Sequence, residues 1–300
     1  MKVLPLDLTT VTRTQVANAA LKDGTVRPNG VSFAFEEVDP LIRAFRRMVR
    51  ELPYDVCELA ITTYLCAREH GKAFTALPIF LVRGFHHGAI LCNTKIVREP
   101  KDLEGKRVGV NRGYTVTTGV WARGILAEEY GVDLDAVTWV LSGDEHVAEY
   151  EPPPNVIPVG PGEEIAELLA AGELAAAIGV EVDHPDVAPL IPDAAEAGYR
   201  ALRERGHYPI NHLVVVRDEL LADHPEVGGA VFAAFERAKD LYLERGNLEP
   251  MHARVAELIG GDPLPYGLEP NRRTIERLID HALDQRILRQ RPSVESLFAR

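Results

Sequence analysis

A carboxylate and several hydroxyl groups lie where a short apolar strand is predicted to end. Residues 55–65 read DVCELAITTYL, so Glu58 lies within the strand, and Thr62, Thr63 and Tyr64 follow where the next helix begins. Ligands of open α/β folds bind at the carboxyl ends of strands. A carboxylate seldom occupies an apolar strand unless it is paired or functional. Glu58, Thr63 and Tyr64 are therefore candidate site residues; the alternative for the threonines is helix capping.

A second group of hydroxyls lies at the predicted start of a long helix. The sequence YTVTT runs from Tyr114 to Thr118, directly after a predicted strand. Free N–H groups and the helix dipole favour an anion at such a position. Tyr114, Thr117 and Thr118 are therefore predicted to bind a carboxylate, and Arg123 further along the helix is a candidate to reach it. The alternatives are ordinary capping by Thr115 or Thr117 and a solvated Arg123.

Basic and titratable side chains form a third set of candidates. Arg83, His86 and His87 lie within five residues, and His212 opens a later apolar strand. Arginine binds carboxylates through two parallel hydrogen bonds, and histidine transfers protons near neutral pH. Adjacent strand residues face opposite ways, so we expect only one of His86 and His87 to enter a site. His212 could instead be a core histidine. The sequence contains neither an HxxxH helix nor paired carboxylates at metal-ligand spacing, so it gives no indication of a metal site.

The elements that must position these residues alternate between strands and helices along the chain. This alternation predicts an α/β fold with mostly parallel sheets. Strands are predicted at residues 31–35, 77–80, 89–93, 107–110, 136–141, 174–179 and 212–216, in addition to the short apolar strand that ends before Thr62. Helices are predicted at residues 39–51, 115–130, 165–171, 226–244 and 269–287.

Two stretches rich in proline or glycine, near residues 99–100 and 196–209, are predicted to divide the chain. The simplest partition is a discontinuous first lobe, residues 1–94 plus 205–300, and a second lobe, residues 95–204. Such a partition places the first and last thirds of the chain in one folding unit.

Composition limits the classes of function. The chain has 300 residues and a net charge of −12, which disfavours binding to nucleic acid or an anionic membrane because both require a positive field. The N-terminus lacks the pattern of a secretory leader, and no segment is long enough to span a membrane, so we expect a cytoplasmic protein. The three cysteines, Cys57, Cys66 and Cys92, show no metal-binding spacing and are predicted to be reduced and buried.

Two sets of motifs carry a resemblance to known proteins. DLEGKRVGV at 102–110, GELAAAI at 172–178 and VRDELLADHPE at 216–226 resemble solute-binding proteins of the type II periplasmic-binding-protein-like fold. That fold has two lobes, each a mostly parallel sheet flanked by helices, with a ligand cleft between them. A second set resembles the 4,5-dihydroxyphthalate decarboxylase family over nearly the whole chain. Its members are residues 45–65, RGFHHG at 83–88, YTVTTGVWARG at 114–124, YPINH at 208–212, DPLPYG at 262–267, DQRIL at 284–288 and VESLF at 294–298.

The resemblance implies a reaction. The family name implies conversion of 4,5-dihydroxyphthalate to 3,4-dihydroxybenzoate and CO2 by acid/base catalysis in the interlobe cleft. No cofactor is implied, because the substrate phenol can itself act as the electron source. In this scheme His87 and His212 share the proton transfers and Glu58 orients one of them. Arg83 and the helix start at residues 117–118 hold the carboxylates.

Other interpretations remain open at the level of sequence. The same fold could serve a non-catalytic solute-binding or sensor protein for a small aromatic carboxylate. It could also serve a related lyase or isomerase with a similar carboxylate pattern, or hold a metal between histidine and glutamate side chains. The expected partner is a small aromatic carboxylate, with no nucleic acid and no membrane, and a homo-oligomer is possible.

Overall fold

The computed structural model describes residues 5–299, so part of the N-terminal segment considered for a leader lies outside the described residues. The chain alternates strands with helices. The strands are β1 Leu6–Val11, β2 Val31–Phe35, β3 Val56–Ala60, β4 Phe74–Arg83, β5 Ile90–Asn93, β6 Arg107–Val110, β7 Thr138–Leu141, β8 Val156–Pro158, β9 Ala176–Ile178, β10 Val187–Pro189 and β11 Ile210–Arg217. The helices are α1 Ala19–Lys22, α2 Ile42–Glu51, α3 Ile61–Glu69, α4 Thr117–Tyr130, α5 Ile165–Ala171, α6 Ala194–Arg205, α7 Asp218–Asp223, α8 Glu226–Glu244, α9 Pro250–Ile259 and α10 Arg272–Asp284.

Contacts divide the chain into two units. The first contains the residues up to Arg83, Ile210–Glu276 and the residues from Pro292 onward; the second contains Gly84–Pro209 and Arg277–Arg291. The sequence-based partition had assigned residues 84–94, 205–209 and 277–291 to the first lobe, whereas here they group with the second unit. The boundary at residue 276 falls within α10.

The first unit is built on a five-stranded sheet in the order β2-β1-β3-β11-β4. Strands β1, β2 and β3 are parallel, and β11 runs antiparallel to both of its neighbours. Alternate residues of each strand project to the same face. On one face they pack with α8 and form a core that includes Val56, Ile79, Val214, Val231 and Phe235.

The second unit is built on a six-stranded sheet in the order β10-β5-β9-β6-β7-β8. Strands β6, β7, β8 and β9 are parallel, and β5 and β10 complete one edge in antiparallel pairs. Helix α5 packs on this sheet through Ile165 and Leu169. The α/β class and the mostly parallel sheets predicted from the sequence are therefore confirmed.

The stretch at residues 196–209, which the sequence analysis expected to divide the chain, ends where the second unit gives way to the first at Ile210. Most of the stretch is helical, because α6 occupies it. Its sequence AAEAGYRALRER consists mainly of strong helix formers. The helix ends at Gly206, whose φ of 63° suits the left-handed position that closes a helix.

Candidate active site

Several polar side chains meet at one edge of the first unit's sheet. Strands β1, β3 and β4 run in the same direction, so their carboxyl ends share this edge, and antiparallel β11 begins there. The residues at this edge are Arg13 and Gln15 after β1, Thr63 after β3, Arg83 at the end of β4 and His212 near the start of β11. This is the edge at which open α/β folds bind their ligands.

Glu58 lies on β3 and its side chain is fully buried. Its carboxylate accepts three hydrogen bonds: from the Arg13 backbone N–H at 2.9 Å, from Gln15 Nε2 at 3.1 Å and from His212 Nδ1 at 2.6 Å. A buried carboxylate requires such partners, because an unpaired charge is costly away from water. The sequence argument that a carboxylate in an apolar strand is paired therefore holds for Glu58.

His212 receives its orientation from Glu58 and from an aromatic ring. Register explains the first contact: Val214 of β11 pairs with Glu58, and His212, two residues earlier, projects to the same side. The ring of Phe45 meets the imidazole edge-on, with centroids 5.1 Å apart. Because Nδ1 donates to the carboxylate, the neutral ring carries its lone pair on Nε2. The side chain is 20% exposed, so this nitrogen belongs to a ring that solvent can reach.

A pocket of about 280 Å³ lies beside the residues that hold Glu58. Arg13 and Gln15, which hold Glu58, also line the pocket, together with Val82 and Arg83 at the end of β4. The turn after β1 positions Arg13 and Gln15. Asn18 fixes this turn by accepting a hydrogen bond from the Gln15 N–H at 2.8 Å and donating to the Arg13 carbonyl at 2.9 Å.

Arg83 is buried at the end of β4, and a loop near the C-terminus holds its guanidinium. Nη2 donates to the side-chain oxygen of Asn271 and to the Pro265 carbonyl at 3.3 Å. Asn271 in turn donates to the carbonyls of Pro265, at 2.9 Å, and Gly267, at 2.8 Å. The arginine predicted to bind a carboxylate thus lines the pocket in a fixed orientation.

The hydroxyls after β3 are buried in the first turn of α3. The N-cap of this helix is Ala60, so neither Thr62 nor Thr63 occupies the capping position. Tyr64 is fully buried; its hydroxyl donates to the Leu297 carbonyl and accepts from the Ala76 N–H at 3.2 Å. Burial raises the pKa of Tyr64 to about 12. This hydroxyl joins three segments of the fold, and we leave Tyr64 out of the proposed site.

The second unit places His86 and His87 in a buried turn. His87 is fully buried, and its Nε2 lies 3.2 Å and 3.3 Å from the two carboxylate oxygens of Glu129, which also binds Arg205. Burial acts to raise the pKa of Glu129, but His87 and Arg205 outweigh it and hold that pKa below its usual value. His87 therefore has a carboxylate partner within its own unit, and the histidine that Glu58 orients is His212.

The start of α4 combines a small pocket with a buried support. Thr118 lines a pocket of about 190 Å³ with Asn111 and Arg112, and Thr117 is the first residue of the helix. Thr115 donates to the Glu145 carboxylate through its N–H at 3.2 Å and its hydroxyl at 2.6 Å. An internal carboxylate thus occupies part of the surface predicted for a substrate anion.

Arg123 lies in the core of the second unit. Its guanidinium stacks on the Tyr114 ring at 3.8 Å and donates to the Tyr114 carbonyl at 2.6 Å and to Gln285 Oε1 at 2.8 Å. Burial lowers the pKa of Arg123. Arg123 and Tyr114 hold the segment that leads into α4, and we leave both out of the proposed site.

Sequence reasoning missed the two residues that hold Glu58 from the other side. Arg13 and Gln15 follow β1, a strand that the sequence analysis did not predict. The signal was present: LDLTTV is followed by a polar run, as at the ends of the other strands. Thr10 conceals the alternation because it is buried, with its hydroxyl donating to the Leu8 carbonyl at 2.8 Å.

Residues 5–299 contain neither a helix suited to span a membrane nor a cluster of metal-binding side chains. Between residues 5 and 299, no helix is both long enough and apolar enough to cross a membrane. In the same part of the chain, no three His, Cys, Asp or Glu side chains form a group that could hold a metal ion. All three cysteines are buried, as predicted.

Solved structures resemble this fold at low sequence identity. The alkanesulfonate-binding protein SsuA from Xanthomonas axonopodis pv. citri, bound to MOPS, is 16% identical and covers 99% of both chains with a TM-score of 0.53. The periplasmic aliphatic sulphonate binding protein SsuA from Escherichia coli is 11% identical, with a TM-score of 0.54, over 99% of this chain and 98% of that one. The desulfurization enzyme DszB is 14% identical, with a TM-score of 0.53, over 98% and 96%. These likenesses confirm the periplasmic-binding-protein-like fold.

Curated relatives identify the family. No family model matches the chain. A protein of Comamonas testosteroni named 4,5-dihydroxyphthalate decarboxylase is 32% identical over 290 residues, covering 87% of both chains. A protein of Pseudomonas putida with the same name is 36% identical over 200 residues, covering 61% of this chain and 77% of the relative. The chain belongs to the 4,5-dihydroxyphthalate decarboxylase family.

Proposed function

We propose that this protein is a carboxy-lyase that converts 4,5-dihydroxyphthalate to 3,4-dihydroxybenzoate and CO2. Family membership favours this enzyme over the solute-binding alternative. The observation that carries the chemical assignment is the 2.6 Å contact between His212 Nδ1 and buried Glu58. A carboxylate that fixes one imidazole nitrogen leaves the other as a directed base, the arrangement that general acid–base catalysis requires.

The reaction can be written around His212. Its Nε2 removes the proton from the ring hydroxyl para to the departing carboxylate. The oxygen's electron pair moves into the ring, and the carbon bearing that carboxylate takes up a proton supplied by the solvent. The C–C bond then breaks, its electron pair restores aromaticity, and CO2 leaves. The imidazolium returns its proton to the phenolate, so the net change is replacement of CO2 by one hydrogen.

The remaining groups are assigned to binding. We propose that Arg83 and Arg13, which line one pocket, attract the substrate's carboxylates. We also propose that Thr63 contributes at the same edge of the sheet. We also propose that Thr117 and Thr118, beside Arg112, form a carboxylate-binding surface at the start of α4. The substrate-binding role of His86 and the proton-transfer role of His87 stay predictions. The scheme uses no cofactor, and the cytoplasmic location stays a prediction.

The proposal is tested by incubating purified protein with 4,5-dihydroxyphthalate in H2O and in D2O, with and without chelator. We expect one CO2 for each 3,4-dihydroxybenzoate formed. The amounts should be the same with and without chelator. In D2O the product should carry one deuterium at the carbon that lost its carboxylate. Binding of the substrate without CO2 release would overturn the proposal in favour of a solute-binding protein. Loss of turnover with chelator would replace the scheme by a metal-dependent one.

A further inference from the structure

The pocket of about 280 Å³ is lined by a buried histidine, His252, that the scheme above does not use. His252 lies in the first turn of α9, and its side chain is only 9% exposed. Arg13 lines the same pocket from the turn after β1, and Arg83 lines it from the end of β4. Three elements of the first unit therefore bring three side chains that can donate hydrogen bonds to one cavity.

A short chain of hydrogen bonds fixes the ring of His252. The backbone N–H of Glu249 donates to the hydroxyl oxygen of Tyr242 at 2.8 Å, and that oxygen lies 2.9 Å from His252 Nδ1. The two rings meet edge-on, with centroids 5.8 Å apart. Tyr242 itself packs in a small apolar cluster with Ala17 and Leu264, which also line the pocket. The imidazole therefore has a defined orientation in the pocket wall.

The same contacts determine which nitrogen of His252 carries the proton. Burial lowers the pKa of His252, although the charges of Glu249 and Asp262 oppose it, so the ring is neutral at neutral pH. A neutral imidazole has one donor nitrogen and one acceptor nitrogen. If Nδ1 were the donor, the phenolic proton of Tyr242 would have no acceptor within residues 5–299. The phenol therefore donates to Nδ1, and Nε2 carries the N–H of His252.

The charges that line the pocket favour an anion. Its lining contains two cationic side chains, Arg13 and Arg83, and one anionic side chain, Glu249. The Glu249 side chain is 54% exposed, so water screens its charge more than it screens that of buried Arg83. Carboxylates accept hydrogen bonds strongly, and the Nε2–H of His252 adds a neutral donor to the two guanidinium groups. This combination suits a ligand carboxylate.

We propose that His252 donates a hydrogen bond from Nε2 to the carboxylate that the substrate retains during the reaction. The inference rests on the proposed function for the identity of the ligand, and it adds a binding residue to that site. A neutral ring that keeps its N–H takes no part in proton transfer. Substrate and product both carry the retained carboxylate, so the contact stabilises both complexes. Its loss should therefore raise KM much more than it lowers kcat.

Two substitutions at one position separate this contact from a structural role. His252→Asn keeps an acceptor for Tyr242 but removes the donor to the pocket, so we expect 3,4-dihydroxybenzoate to bind about 10-fold more weakly with little change in Tm. His252→Gln keeps a donor at the position of Nε2 but loses the acceptor at Nδ1, so we expect a lower Tm with affinity close to that of the wild type. A purely structural histidine predicts the reverse order of affinities. A His252→Asn protein with wild-type affinity would overturn the inference.

A second ligand identifies the group that His252 contacts. Calorimetric titration compares 3,4-dihydroxybenzoate with catechol, which has the same two hydroxyls but no carboxylate. His252→Asn should weaken binding of 3,4-dihydroxybenzoate and leave that of catechol unchanged. An equal loss for both ligands would overturn the assignment to the carboxylate. These titrations require no turnover, whereas a wild-type protein that binds 4,5-dihydroxyphthalate but releases no CO2 would overturn the proposed function instead.

Discussion

The residue that best indicates chemistry in this chain is Glu58, because apolar strands rarely contain a carboxylate. Its sequence context predicted that it would be paired, but it could not identify the partner. His212 lies 154 positions away and reaches Glu58 only because β11 lies beside β3. Composition likewise does not predict local charge. The chain has a net charge of −12, yet two arginines, Arg13 and Arg83, line one pocket.

The first prediction concerns the hydrogen-bonded pair of Glu58 and His212. In Glu58→Gln a single amide oxygen replaces two carboxylate oxygens that now receive three donors, so at least one donor loses its acceptor. We expect kcat to fall by about 100-fold or more because the His212 ring is no longer oriented. The free energy of unfolding should fall by about 1–3 kcal/mol. Steady-state kinetics and urea unfolding measure the two effects.

Two further variants test the assignment of the pair. His212→Ala should reduce kcat much more than it changes substrate affinity, since the base is lost while Arg13 and Arg83 remain. Glu219→Gln, at a side chain that is 78% exposed, should change neither kcat nor stability. If His212→Ala retains the wild-type kcat, His212 is not the base.

At the scale of elements, strongly patterned segments were predicted well and polar strands were not. Helix α8 has the predicted limits, residues 226–244, because its apolar positions recur with helical spacing over nineteen residues. Strand β1 was missed because Thr10 is buried where an apolar residue would be expected. Arg123 shows the same difficulty in a helix, since its charge suggested a ligand while stacking on Tyr114 satisfies it internally. Local pattern does not encode a partner contributed by tertiary structure.

The packing of β6 against α5 gives a prediction at this scale. A methyl group on Gly109 would lie 2.6 Å from Ile165 Cγ2 and 3.0 Å from Leu174 Cδ1. Gly109→Ala should therefore lower the free energy of unfolding by about 1–3 kcal/mol through overpacking. The matched control is Gly229→Ala in α8, where a methyl group meets nothing within 4 Å. This change should raise stability by about 0.5–1 kcal/mol, because alanine favours the helix. Urea unfolding of both variants measures the difference, and equal stabilities would contradict the packing argument.

At the scale of the whole molecule, stability should depend on two buried histidines of the second unit. His207 and His281 flank Trp121, with centroids 5.2 Å and 5.6 Å from its ring. Burial and the nearby Arg277 lower the pKa of His207 to about 2 and that of His281 to about 4. Arg277 also donates to His207 Nδ1 at 2.8 Å, which requires the neutral ring.

The sign of the pH effect follows from these two values. Below the unfolded pKa of about 6.5 the unfolded chain binds protons that the folded chain excludes, so the free energy of unfolding falls as pH falls. Between pH 7 and pH 5 the loss should reach about 2 kcal/mol for each histidine. His207→Gln, which keeps an acceptor for Arg277, should remove about half of this dependence, whereas His224→Gln, at a side chain that is 44% exposed, should leave it unchanged. Both tryptophans of the chain, Trp121 and Trp139, belong to the second unit, so their fluorescence during urea unfolding at pH 7, 6 and 5 reports the effect there. A His207→Gln protein with the wild-type pH dependence would show that His207 does not exclude the proton.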